Sequence, residues 1–205
     1  MTLQNRVLPT GDIVAHPGRG TLTGNRGILH TSDGVLGAAR WRHKAWICCT
    51  LDYKGRRRQP MTGRNWTELF FLDEAAAMAA GHRPCALCRR PAYVAFQHAW
   101  TDATGGCAKA SEIDAVLHAA RTEAGTRHQR RHRARLATLP PGTFVLWEDR
   151  PHLVGAQGLQ GYAPGGYRLA LSKTRGAEVI VLTPAPFVAV MRAGYAPALH
   201  DTAVV

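Results

Sequence analysis

The spacing of hydrophobic and polar positions changes along this chain, and each change marks a different kind of element. From Met1 to Asp33, glycine, proline and threonine interrupt every apolar run, which predicts loops and short strands. A tight turn is expected where Gly24 and Gly27 flank Asn25 and Arg26. "WICCTLDY", Trp46 to Tyr53, reads as a strand. A period of two puts Ile47, Cys49, Leu51 and Tyr53 on one face and Trp46, Cys48 and Thr50 on the other. "YKGRRRQPMTGRNW" follows as a basic loop, and "TELFF" as a short strand.

The period then lengthens. Asp73 is placed to cap a helix over "EAAAMAA", with Gly81 as its terminator. Pro91 opens a second helix carrying Tyr93, Phe96, Gln97 and Trp100 on one face. Ser111 is expected to cap a third, "EIDAVLHAARTEA", with Ile113, Val116, Leu117 and Ala120 as its core stripe. "GTRHQRRHRARL" is expected to continue it as a basic helix. From Leu139 the short period returns: a hairpin in "GTFVLWEDRPHLV", strands in "GYRLALS" and "AEVIVL", and a closing helix in "PAPFVAVMRAGY". This order predicts the α+β class. The boundary falls at Thr138–Gly142, giving a basic part, 1–138, and a small β-rich part, 139–205.

Composition adds charge and thiols. Lys and Arg number 26 against 14 acids, a formal charge of +12, and most of the cations are arginine. Such an excess points to a polyanionic partner, nucleic acid being the commonest; a solvated basic surface is the plain alternative. No apolar run is long enough to span a bilayer, and the N-terminus has no signal-peptide pattern, so a cytoplasmic protein is expected. In that compartment the five cysteines are reduced, and their odd number argues further against a disulfide framework.

Two of those thiols lie in "GHRPCALCRR", Gly81 to Arg90. A redox pair of the thioredoxin kind follows a buried strand, whereas here a helix precedes the motif. A zinc knuckle needs two thiolates on a tight turn and further N or S ligands from elsewhere. Cys48, Cys49, His43 and His82 are available for that. Unliganded structural cysteines are the remaining reading. In an undistorted strand only one of Cys48 and Cys49 faces the metal, and Cys49 is favoured. His43 is preferred as the fourth ligand, ahead of Cys48 and His82.

"ELFFLDEAAAMAAGHRPCALCRR" resembles the metal-binding domain of the bacterial Ada DNA-repair protein and related nuclease-associated modules: an aromatic pair, an alanine-rich helix, then Pro-Cys-x-x-Cys-Arg. The resemblance spans residues 46–90. It implies Zn2+ held by Cys85 and Cys88, with further ligands from upstream, on an Ada-like core with a helical extension. Adjacent Cys48 and Cys49 depart from the family's upstream pair, so metal binding carries over and the repair chemistry does not.

Other constellations bear on function. Asp114, His118 and Arg121 share a helix edge and form a candidate catalytic set: a carboxylate orienting an imidazole, beside a guanidinium for a phosphate. Ordinary surface pairing is the alternative. Arg26 in its Gly-rich turn, with His30 nearby, is a candidate anion contact. Arg56, Arg57, Arg58, Arg130 and Arg131 are candidate phosphate contacts, with Trp41 and Trp66 available to stack on a base. The expectation is a zinc-containing DNA-binding protein acting in DNA repair or processing. The alternatives are a hydrolase or nuclease using Asp114, His118 and Arg121 apart from a structural zinc, and a zinc-bearing interaction module.

Overall fold

Helix α1 (Glu74–Ala79) has no exposed side: each of its six residues is buried. Alanine is what permits this. Ala77 and Ala80 meet Val7, Cys48, Leu69 and Phe71 of one sheet. Ala75, Ala76 and Ala79 meet Phe144, Leu153 and Tyr167 of another. Met78 is its one bulky apolar side chain, and it faces Phe96, Trp100, Ile113, Leu117 and Phe187 of the other helices. Methyl-sized side chains let backbones approach on every side of one short helix. Ala76→Leu is therefore expected to cost about 1–3 kcal/mol by overpacking. Its denaturant midpoint measures that, and an unchanged midpoint would show space beside α1 that the structure does not have.

The computed structural model describes residues 2–55, 59–172 and 176–204. The first sheet is mixed, in the order β2 (Ile13–Ala15), β1 (Gln4–Val7), β7 (Leu69–Phe71), β3 (Leu22–Asn25), β6 (Ile47–Thr50), β8 (Arg83–Pro84). A small hairpin of β4 (His30–Ser32) and β5 (Val35–Leu36) lies outside it. The second sheet is antiparallel, in the order β13 (Gly166–Ser172), β12 (Gly158–Ala163), β11 (Arg150–Val154), β10 (Phe144–Trp147), β14 (Glu178–Val181), β9 (His132–Arg135). Helices α2 (Arg90–Thr104), α3 (Ala110–Arg121) and α4 (Ala185–Arg192) complete an α+β fold. No helix among the described residues is long and apolar enough to cross a membrane.

The N-terminus of α1 ties the two sequence halves together. Asp73 caps it, accepting from Ala76 N (2.8 Å), and accepts from Tyr167 Oη (2.7 Å) and His200 N (3.0 Å). Glu74 accepts from Arg89 Nη1 (2.9 Å), Tyr195 Oη (2.6 Å) and Ala198 N (2.9 Å). Strand β9 precedes Thr138 in sequence yet forms the edge of the second sheet.

Three local expectations need correction. Helix α3 begins one residue before Ser111: Lys109 is its cap, with Glu112 Oε2 accepting the Lys109 N–H at 2.7 Å. It is also rotated from the expected stripe, burying Ile113, Asp114, Leu117 and Arg121 and leaving Val116 49 % exposed. Buried Asp114 is tolerated because Arg83 grips it with two bonds, of 2.8 and 2.7 Å. The basic stretch from Arg127 to Arg135 is not a helical extension. Thr122 leaves α3 in an extended conformation, Gly125 has φ +74°, and the chain re-enters order as β9. Arg133 and Arg135 alternate outward there, a period of two.

Candidate metal centre

Strand β6 decides which of its adjacent thiols is available. Alternation turns Cys48 inward, fully buried against Val7, Leu69 and Phe71. Arg89 Nη1 donates to its sulfur at 3.1 Å. Burial and the nearby Glu74 carboxylate push the Cys48 thiol up to about 12, so it stays protonated. Cys49 turns to the other side. Strand β8 then runs parallel to β6, pairing Cys48 with Pro84, with Cys85 N donating to Cys48 O at 3.0 Å. That pairing carries the knuckle, Cys85 to Cys88, alongside Cys49.

The result is a group of three sulfurs, from Cys49, Cys85 and Cys88, lying within 4.8 Å of one another. Leu87 N donates to Cys85 Sγ at 3.4 Å. The Cys49 thiol, with the Leu87 and Cys88 N–H groups, draws the Cys85 thiol down to about 5. Cys49 is correspondingly held up, as the donor to Cys85 and by burial. One thiolate is thus already favoured in the group, and a metal would displace the remaining protons. Tetrahedral zinc with Zn–S near 2.3 Å separates sulfurs by about 3.8 Å, a spacing this group accommodates. Three soft thiolates also disfavour magnesium or calcium.

No fourth Cys, His, Asp or Glu joins the three among the described residues. His43, expected as the fourth ligand, lies in the segment before β6, where its Nε2 meets Asn25 Oδ1 at 3.1 Å and its carbonyl accepts from Trp46 Nε1. His82 is fully buried against Phe71 and Trp46, with Arg26 Nε donating to its Nε2 at 3.4 Å. Cys48 faces the core. The three sulfur residues instead line a cleft of about 330 Å3 with Asn25, Tyr53, Trp66, Glu68 and Phe70. Glu68 is the wall residue that the sequence motifs do not mark. It is buried, and its Oε2 accepts from Met61 N at 2.8 Å. A signal for it exists in the alternation: Glu68 and Phe70 alternate with Leu69 and Phe71, and only the latter pair enters the core.

The candidate catalytic set is divided among other partners. Asp114 holds Arg83; Arg121 donates to Gly81 O (2.6 Å) and Lys44 O (2.5 Å); His118 packs edge-on to Trp41 and Trp46. Among the described residues no hydrogen bond joins any two of the three. The reason is the rotation of α3, which turns Asp114 and Arg121 inward. His30 is likewise committed. Its Nε2–H donates to Gly63 O (2.9 Å), leaving Nδ1 to accept from the Thr67 hydroxyl (2.7 Å). Among the candidate nucleic-acid contacts, Arg26 is buried and bonded to Gly11 O and Ala80 O. Arg130 and Arg131 are in the segment beyond α3, both exposed, and Arg56, Arg57 and Arg58 lie outside the described residues.

Burial also sets a pH response. His43, His82, His118 and His132 all have pKa values lowered from 6.5, in each case chiefly by burial. The unfolded chain therefore takes up protons below about pH 6.5 before the folded one does, and stability falls as pH falls through that window. Denaturant midpoints at pH 7.5 and 5.5 are expected to show the loss. His82→Gln, which removes the most buried of the four, is expected to reduce the slope.

Compared with models of known families, with curated proteins and with solved structures, the chain matches none.

Proposed function

We propose that the chain is a zinc-containing, Ada-like DNA-binding protein acting in DNA repair or processing. The observation that carries the reading is the convergence of Cys49, Cys85 and Cys88, the residues to which the Ada-like motif and the strand pattern both lead. A charge of +12, with Arg130 and Arg131 on the segment beyond α3, supports a polyanionic partner. When bound, zinc would cross-link β6 to the turn that starts α2. Cys49, Cys85 and Cys88 would hold it, and a zinc with three protein ligands can also take water or substrate.

Within the cleft lined by these three cysteines the protein's own groups have distinct tasks. Tyr53, Trp66 and Phe70 offer flat surfaces on which an unpaired base can stack. Asn25 and Glu68 provide hydrogen-bonding groups on the same walls. Cys48, protonated and held by Arg89, takes no part and keeps β6 anchored to the core.

The test is fluorescence anisotropy with labelled single- and double-stranded DNA at low salt. Binding to at least one form is expected. No binding to either form would overturn the DNA assignment, whatever the metal content.

A further inference from the structure

On the other side of β6 from the cysteine group, two arginines are buried without a carboxylate. Arg26 is 2 % exposed and Arg121 is 0 %. Their guanidinium carbons lie 4.2 and 3.9 Å from the centre of the Trp46 ring. Gly81, at φ +90°, lets this happen: a Cβ there would come within 2.6 Å of Arg121 Cδ and 3.2 Å of the Trp46 ring. The hydrogen bonds of both arginines go to neutral groups. Arg26 reaches Gly11 O, Ala80 O and His82 Nε2; Arg121 reaches Gly81 O and Lys44 O, and its buried Nε has no partner among the described residues. The ion pairs among the described residues are Arg83–Asp114, Arg89–Glu74 and Arg133–Glu178, and neither Arg26 nor Arg121 is in them.

Cation–π contact and carbonyl bonds offset only part of the cost of such burial. Burial first, and then the charge of Arg40, lowers Arg26 to about 9. Burial and then Arg26 lower Arg121 well below its usual range. The fold thus holds two mutually repelling cations that a neighbouring anion would stabilise.

There is room for one. Arg26 and Arg121 line a cleft of about 350 Å3 whose walls also carry Arg40, Arg127 and Arg131, with Asp12 and Glu123 as its acids. Five guanidinium groups against two carboxylates leave three positive charges in excess (5 − 2 = 3). Trp41, half-buried, forms part of the wall and stands 5.7 Å from Trp46. Planar forks suit phosphate oxygens, and an indole face suits a base.

We propose that this cleft is a phosphate-binding site for a nucleotide unit, in which the exposed rim residues Arg127 and Arg131 hold the phosphate, the buried charges of Arg26 and Arg121 behind them favour it, and Trp41 receives the base. The unit is either a free mononucleotide or the phosphorylated end of a strand. The site is separate from the cysteine cleft and does not rest on the DNA-binding reading or on zinc.

The experiment follows the melting temperature and tryptophan fluorescence of the full chain in matched ionic strength. The probes are inorganic phosphate, adenosine 5′-monophosphate, adenosine, and one oligonucleotide with and without a 5′-phosphate. Arg121 is buried and its variants can fail to fold, so the exposed pair Arg127→Ala and Arg131→Ala is used. Stabilisation by the phosphorylated probes, absent with adenosine or added chloride, is expected. The double variant is expected to weaken it by about tenfold or more, since it removes both exposed guanidinium groups that hold the phosphate. A response to the monophosphate identifies the free nucleotide as the source; a response confined to the phosphorylated oligonucleotide identifies the strand end. Equal responses with and without phosphate, or an undiminished response in the double variant, would overturn the site. Binding of unphosphorylated DNA alone would leave the DNA reading standing and this one refuted.

Discussion

Cys85→Ser is expected to lose the bound metal and to lower stability by several kcal/mol. The serine hydroxyl is nearly isosteric with the thiol but is not a soft, readily ionised ligand, and two remaining thiolates hold zinc poorly. A metal that binds only the folded chain stabilises it by about 4 kcal/mol at a thousandfold excess over its dissociation constant. Cys85 also orders the turn that starts α2, through Leu87 N to its sulfur and Arg89 N to its carbonyl. Cys49→Ser is expected to behave alike. Cys107→Ser, at an exposed position far along the chain from the group, is expected to change neither metal content nor denaturant midpoint. Equal stability of Cys85→Ser and wild type in the presence and absence of chelator would show that metal and fold are not linked.

Binding to DNA is expected to collapse with salt. If six phosphates are neutralised, affinity falls by about a thousandfold between 50 and 200 mM salt, because the release of condensed counterions drives binding less as salt rises. Arg130→Glu and Arg131→Glu place negative charge at two exposed positions that make none of the ion pairs among the described residues, so stability is expected to hold while affinity drops. The drop is expected to be similar for all sequences, with the salt slope shallower by about one for each phosphate no longer neutralised. A drop confined to one DNA sequence would instead mark these arginines as base readers.

Local patterns carried much of the architecture. Asp73 as a cap, the alanine helix, Pro91 at the start of α2 and the terminal helix ending near Gly194 follow from rules that act within a few residues. So does the preference for Cys49 over Cys48 as the thiol facing the knuckle, because strand alternation is strict. Long-range pairing was what the sequence left open. Nothing local says that Arg83 reaches Asp114, yet that bond rotates α3 and separates Asp114 from His118. Nor does the basic composition of Arg127 to Arg135 distinguish a helix from β9, whose partner β14 lies some forty residues on. The Ala75–Ala80 run gave a helix but not the reason for its alanines, which is contact with both sheets. Arg26 illustrates the limit most sharply. Its charge suggests a surface position, while Trp46, Ala80 and His82, distant in sequence, bury it.

Metal analysis combined with zinc-edge X-ray absorption decides whether Cys49, Cys85 and Cys88 hold a zinc ion. Protein purified without added zinc is expected to carry about one equivalent per chain, with three sulfur ligands near 2.3 Å and one lighter atom. Fully folded protein without metal, or a zinc shell lacking those three sulfurs, would contradict zinc binding by this group.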